Sequence, residues 1–166
     1  MIKKKIAILL PYKEDYSESS AGAASIWVKD YLSLSKLKNI TTVYGNLKKN
    51  LRPLTSNFIN IDISGKIIRK NLRYTNILYE DCVKKKYSII EIHNRPESLL
   101  FLIKKKIDSK LTFIFHNNPK DMRGSTSVKE RIFIAENCDQ VYFVSNWVKD
   151  KFFENLPYNH RNNCEI

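Results

Sequence analysis

The chain has 166 residues, a hydrophobic content of 43% and a formal net charge of +12 at pH 7. This length suits one domain with its own core, and nine Tyr with eight Phe argue against a disordered chain. The first apolar run is too short for a secretory signal core, and no run is long enough to span a membrane. Three widely spaced cysteines are typical of reduced thiols, so we expect a cytoplasmic protein.

Taken in chain order, six short runs rich in Ile, Val, Phe and Tyr are typical of buried parallel strands. They are Ile6-Leu10, Ile40-Tyr44, Phe58-Asp62, Ser88-Ile92, Leu111-Phe115 and Gln140-Val144. Helices are predicted between most of them, over 24–32 and 68–83, from Pro96 onward, from the capping box at Ser127 to Asn137, and from Asn146 to about Asn155. In the first helix one apolar face, at helical spacing, is formed by Ala24, Trp27, Val28, Tyr31 and Leu32. Residues 48–57 have the pattern of a loop.

Strands that alternate with helices predict an α/β fold with right-handed crossovers. We expect a single Rossmann-like domain over residues 1–166, a doubly wound parallel sheet of about six strands with helices on both faces. The expected strand order is 3-2-1-4-5-6. In that order the fourth strand lies between the first and the fifth, at the point where the winding of the chain reverses. Open α/β sheets bind their ligands at this switch point.

Two phrases of the sequence are nearly the same, IIEIHNRP at 89–96 and TFIFHNNP at 112–119. Each is an apolar run that ends at His-Asn and turns at a proline. Because the fourth and fifth strands are neighbours, His93 and His116 should stand side by side at the carboxyl edge of the sheet. The alternative is structural: Asn94 and Asn117 then satisfy backbone groups in turns, and the histidines pack at strand ends.

The loop that leaves the first strand is long and polar, and it narrows to small residues at 21–24 before a helix. Small residues let a ligand approach the backbone, and the free N–H groups of a helix start attract phosphate. Gly22 therefore joins the two His-Asn corners as part of one predicted crevice, although a glycine near a helix start is also common without a ligand.

Four segments together resemble the amino-terminal domain of glycosyltransferase family 4, whose members are retaining enzymes of the GT-B fold with two Rossmann-like domains. They are the first strand with its AGAAS loop, the corner HNRPE at 93–97, FHNNP at 115–119 and CDQVYFVSNWVKDKF at 138–152. The resemblance is strongest over 88–157 and weak over 45–80. It implies transfer of a sugar from a nucleotide-sugar to an acceptor, with no essential metal and no cofactor beyond the donor substrate.

The resemblance also implies roles for individual residues. Gly22 and Ala23 match the loop that meets the donor diphosphate, although Ala21-Gly22 stands where the family often has two glycines. His116 matches a histidine that reaches the transferred sugar, in a hydrogen-bonding role. The residues that match the acceptor side are His93, Asn94, Arg95, Glu97 and Asn117. Arg95 suits a phosphate or carboxylate on the acceptor.

Two motifs are absent. Without Asp-x-Asp, a metal-dependent single-domain glycosyltransferase is disfavoured. The Glu-x7-Glu motif, which belongs to the second domain of the family, is also missing. We therefore expect the amino-terminal half of a two-domain enzyme, either a fragment or one half of a split enzyme, which needs its donor-nucleotide domain for efficient transfer. A linking strand is expected to begin near Cys164.

The positive charge lies mostly in lysine triplets at 3–5, 84–86 and 104–106, which should close helices or precede a strand at the edge away from the histidines. A basic nucleic-acid-binding module is the main alternative function, but no nucleic-acid motif accompanies the charge. A nicotinamide-dependent enzyme is disfavoured because Gly-x-Gly-x-x-Gly is missing.

The segment 66–73 combines Lys66, Arg69, Lys70 and Arg73 with apolar residues. Either its apolar residues pack in the core under a solvated basic face, or it rests on an anionic membrane that carries a lipid-linked acceptor. If the segment contacts the membrane, we expect a cell-envelope glycan or lipid acceptor at the inner face of the cytoplasmic membrane.

Overall fold

Seven parallel strands form one sheet within residues 4–63, 69–157 and 163–166, the ranges that the computed structural model describes. The strands are β1 (Ile6–Leu9), β2 (Thr41–Gly45), β3 (Phe58–Asn60), β4 (Ile89–His93), β5 (Lys110–Phe115), β6 (Gln140–Phe143) and β7 (Cys164–Glu165). Their order is β3-β2-β1-β4-β5-β6-β7. The predicted order of six strands is confirmed, and β7 adds a seventh where a linking strand was expected.

Five α-helices connect the strands in the described ranges. They are α1 (Ala23–Leu34), α2 (Lys70–Lys85), α3 (Pro96–Lys104), α4 (Val128–Asn137) and α5 (Asn146–Phe153). The local signals behave as predicted: Pro96 is the first residue of α3, Ser127 and Glu130 form a reciprocal capping box, and the Ser145 side chain caps α5. Because Asn155 takes a left-handed φ of 67°, α5 ends before it, two residues earlier than expected.

The two faces of the sheet are covered unequally. Helices α2, α3, α4 and α5 bury one face with side chains such as Leu78, Leu99, Ile134 and Phe152. On the other face α1 packs over β1 and β2 through Ala24, Val28 and Leu32. This arrangement follows from right-handed crossovers that reverse at β1 and β4, since each half of the winding then covers only one face.

An open groove of about 720 Å³ therefore runs beside α1 over β4, β5 and β6. Its floor is mostly apolar, with Ile89, Ile114 and Tyr142 among the lining residues. Trp27 and Tyr31 were predicted to share the buried face of α1, but they stack on each other along the groove and remain 38% and 37% exposed. Parallel sheets are normally covered on both faces, whereas no described helix covers this part of the sheet.

The lysine-rich helix ends lie where the sequence predicts. Helix α2 closes with Lys84 and Lys85, and α3 closes with Lys104. A helix that returns from a parallel strand ends at the amino edge of the sheet, so these charges lie away from the histidines. The basic segment at 66–73 is described only from Arg69 onward, and residues 64–68 lie outside the described ranges. Among the described helices, none has both the length and the apolar character needed to cross a membrane.

Candidate active site

The two histidines of the repeated phrase meet at the carboxyl edge of the sheet. His93 is the last residue of β4, and His116 follows β5 directly. His93 Nδ1 lies 2.8 Å from His116 Nε2, and the rings stack with their centroids 5.1 Å apart. Since β4 lies between β1 and β5, the predicted pairing at the switch point is confirmed.

Glu91 extends this pair into a row of three groups. Its Oε1 lies 2.8 Å from His93 Nε2, so both ring nitrogens of His93 have a partner. Alternate residues of a strand share a face, which places Glu91 and His93 together above the open side of β4. The sequence prediction missed Glu91, although a lone carboxylate inside the buried run IIEIH is an unusual residue that could have drawn attention to it.

Trp27 of α1 covers the histidine pair. Its ring centroid lies 5.4 Å from that of His93 and 6.0 Å from that of His116. Trp27 is one helical turn beyond Ala23, the first residue of α1. The start of α1 and the histidines therefore lie at the same end of the sheet. We missed this role for Trp27 in the sequence because its helical spacing indicated only core packing.

The environment of His116 favours a neutral imidazole. Burial, with a smaller contribution from the neighbouring His93, lowers the pKa of His116 to about 4. The usual histidine pKa is about 6.5. At neutral pH the ring therefore carries one hydrogen, with one nitrogen that donates and one that accepts. Such a group can hold a hydroxyl in place but is a weak base.

Asn94 shapes the turn between the two corners. It adopts a left-handed φ of 55°, which Asn tolerates better than most residues. Its Oδ1 accepts a hydrogen bond of 3.2 Å from the backbone N–H of His116, and its own N–H donates to the carbonyl of Ile114 at 3.0 Å. Asn94 is buried, so its side chain fixes the position of His116. Asn117 is exposed and has no side-chain hydrogen bond to the described residues.

A cleft of about 220 Å³ adjoins the β4 corner. Arg95 lies on one wall, with its guanidinium carbon 5.7 Å from the ring centroid of Tyr12. Its Nε is buried and has no hydrogen-bond partner among the described residues. Glu97 lines the same cleft, where it pairs with Arg123 at 3.0 Å and accepts from the Asn71 amide at 3.2 Å. The cleft thus offers a partly unused guanidinium and a carboxylate that is already paired.

The start of α1 holds an acidic side chain instead of an open anion site. Gly22 is the N-cap residue, and Ala23 is exposed. The carboxylate of Glu14 accepts hydrogen bonds from the backbone N–H and the hydroxyl of Ser25, at 3.2 and 3.3 Å. A Cβ atom at Gly22 would collide with this carboxylate. Glu14, which we missed in the sequence, thus occupies the position at which we predicted a diphosphate.

No family model and no curated protein matches the sequence at a significant level. Solved structures do resemble the fold. A structure of sucrose-phosphate synthase from Thermosynechococcus elongatus matches with a TM-score of 0.61 at 12% identity, over 98% of this chain and 87% of that chain. A second structure of the same synthase matches with a TM-score of 0.57 at 16% identity, over 91% of this chain and 44% of that chain.

A third structure, of a protein described as a UDP-N-acetylglucosamine 2-epimerase from Listeria monocytogenes, has a TM-score of 0.55 at 10% identity. The match covers 91% of this chain and 41% of that chain. At these identities the likenesses establish the Rossmann-like fold, which is the fold that the resemblance to glycosyltransferase family 4 implies.

Proposed function

We propose that this chain is the acceptor-side domain of a retaining glycosyltransferase, which moves a sugar from a nucleotide-sugar to a cell-envelope glycan or lipid acceptor. The observation that carries the proposal is the hydrogen-bonded pair of His93 and His116 at the β1–β4–β5 switch point. The fold neighbours are named for reactions of sugar phosphates and nucleotide-sugars, which supports the same class of substrate here.

His116 is the catalytic residue of this proposal. Its lowered pKa makes it a poor proton acceptor at neutral pH, whereas its neutral ring suits a hydrogen bond to a hydroxyl of the transferred sugar. When transfer with retention proceeds on one face of the sugar, the leaving phosphate can take up the proton that the acceptor hydroxyl loses. A positioning hydrogen bond is then the contribution required of the histidine.

The donor diphosphate is proposed to meet the start of α1 at Gly22 and Ala23. The backbone N–H groups there suit an anion, and the carboxylate of Glu14 already uses one of them. Two anions cannot share this N–H without repulsion, so the diphosphate must displace Glu14. The carboxylate of Glu14 fits its present position because Gly22 has no side chain. Replacement of this carboxylate by the diphosphate is the local rearrangement that donor binding requires.

The acceptor is proposed to enter the cleft beside the β4 corner. Arg95 and Glu97 face that cleft and suit an anionic group and a hydroxyl, respectively. Asn117, which is exposed and follows His116, is proposed as a further contact. His93 and Asn94 are buried, so we infer that they serve the acceptor side by holding the corner in place. The guanidinium of Arg95, which lines the cleft, supports an acceptor with a phosphate or carboxylate.

A second, donor-nucleotide domain is part of the proposal. The chain spans less than half the length of two of its fold neighbours, and the apolar groove beside α1 leaves part of one face of the sheet uncovered among the described residues.

For the acceptor, contact with an anionic cytoplasmic membrane is proposed through the start of α2. Arg69, Lys70 and Arg73 are exposed there and present three positive charges to a lipid surface.

The test is transfer by the complete product of the gene, measured as release of nucleoside diphosphate from a panel of nucleotide-sugars in the presence of membrane lipid. We expect His116→Ala to lower turnover by on the order of 100-fold, the usual effect of removing one preorganised hydrogen bond. Lys104→Ala, at the opposite edge of the sheet, is the matched control and should retain full turnover. Equal turnover in both variants would remove His116 from the mechanism, and no release with any donor would reject the proposed activity.

A further inference from the structure

Glu91, His93 and His116 form a row of hydrogen-bonded groups that is longer than the proposed sugar transfer requires. Glu91 Oε1 and His93 Nε2 are 2.8 Å apart, and so are His93 Nδ1 and His116 Nε2. We propose that Glu91 is a positioning residue that acts through His93 to fix one tautomer of His116, leaving His116 Nδ1 as a bare hydrogen-bond acceptor at the site.

The assignment follows from counting hydrogens along the row. An ionised carboxylate only accepts, so the hydrogen between Glu91 and His93 must lie on His93 Nε2. In a neutral His93 ring, Nδ1 is then the accepting nitrogen. The hydrogen between the two rings must come from His116 Nε2, and a neutral His116 has none left for Nδ1.

The surroundings hold this row in place. His93 has no exposed surface, so solvent does not reach the centre of the row. Trp27 packs against both rings, and Asn94 fixes the backbone of His116. His116 Nδ1 has no partner among the described residues, and the ring is partly exposed, so this nitrogen is free for a ligand.

This inference rests on the proposed function for its meaning, because it specifies what His116 contributes to that site. A bare Nδ1 accepts a hydrogen bond from a sugar hydroxyl. In the opposite tautomer, the same nitrogen would donate a hydrogen bond instead. A site built in this way selects a ligand that presents a hydroxyl hydrogen there. The carboxylate that sets this polarity lies within β4, two residues before His93.

The tautomers can be read without substrate, by ¹⁵N correlation spectra of the histidine rings in the full chain at pH 7. The ¹⁵N chemical shift of a ring nitrogen that carries a hydrogen differs strongly from that of a ring nitrogen that does not. The sequence has three histidines, so the signals can be assigned by single substitutions. We expect hydrogen on His93 Nε2 and His116 Nε2, and none on His116 Nδ1. Hydrogen on both nitrogens of His93, or on His116 Nδ1, would overturn the inference whether or not the chain takes part in sugar transfer.

Two substitutions of Glu91 test the cause. In Glu91→Leu the acceptor is lost, so His93 is free to move its hydrogen to Nδ1, and the hydrogen of His116 should shift to Nδ1. In Glu91→Gln the amide oxygen still accepts, and the wild-type pattern should persist. Unchanged backbone amide spectra show that both variants are folded. A wild-type ring pattern in folded Glu91→Leu would show that Glu91 does not position His116. If Glu91→Leu fails to fold, the ring patterns of the wild-type chain and of Glu91→Gln still decide whether the proposed tautomers are present.

Discussion

The corners that follow β4 and β5 begin with the same two residues, His-Asn, and have different parts in the site. In the β4 corner His93 has no exposed surface, and Asn94 uses its side chain to hold the neighbouring corner. In the β5 corner His116 is partly exposed and Asn117 is exposed. The β4 corner supports the site, and the β5 corner faces the ligand.

The register of the two strands accounts for the difference. His93 pairs with Ile114, so His116 lies two positions further along its own chain, beyond the end of β5. A residue opposite a paired strand is enclosed by its neighbours, while one past the strand end reaches the rim. A shift of two residues therefore separates a buried support from an exposed functional group of the same type.

The largest effect should follow from removing the inner ring. His93→Ala leaves a cavity beneath Trp27 and takes hydrogen-bond partners from Glu91 and His116. We expect a loss of about 3 kcal/mol in the free energy of unfolding, measured by urea denaturation. The matched change in the outer corner, His116→Ala, should cost less because that ring is partly exposed. Equal losses in the two variants would contradict the division between support and ligand contact.

A smaller effect is expected from the asparagines. Asn94→Ala removes the hydrogen bond to the His116 backbone and places alanine at a left-handed φ, with a combined cost of about 2 kcal/mol. Asn94→Gly also loses the hydrogen bond but tolerates the backbone angle, so about 1 kcal/mol is expected. Asn117→Ala, without either feature, should stay within about 0.5 kcal/mol of wild type. Denaturation midpoints that do not follow this order would show that the corners are equivalent.

The sequence predicts the frame of the site better than its contacts. The strand order and the pairing of the histidines follow from apolar runs that end in similar corners, and both are confirmed. The depth of each histidine depends on a register that no local pattern encodes. Helical spacing also placed Trp27 in the core, although the reversal of winding at β1 and β4 leaves it beside an open groove.

The acidic side chains of the site were missed for a related reason. Glu14 and Glu91 have roles that depend on residues distant in sequence, the start of α1 and the ring of His93. Patterns of hydrophobic residues locate strands and helices, but they do not show which carboxylate reaches which donor. The predicted diphosphate position at Gly22 thus overlooked the carboxylate that fills it.

A further modest effect concerns protonation of the outer ring, His116. The pKa of His116 is about 4 in the folded chain and about 6.5 in an unfolded chain, so the unfolded state binds more protons between these values. Stability from this group is fully present above about pH 6.5 and is lost as the pH falls toward 4. Because solvent screens a partly exposed ring, we expect a loss of about 1 kcal/mol between pH 7 and pH 4.5.

Other groups titrate in the same range, so the measurement is the difference between wild type and His116→Asn, which cannot take up a proton. Urea midpoints at the two pH values should fall further for wild type than for the variant. Groups that are the same in both proteins contribute to both midpoints, so the difference between the two proteins reports on His116. A variant that loses as much stability as wild type would show that His116 does not cause the acid sensitivity, and the outer ring would then be as accessible to solvent as an ordinary surface histidine.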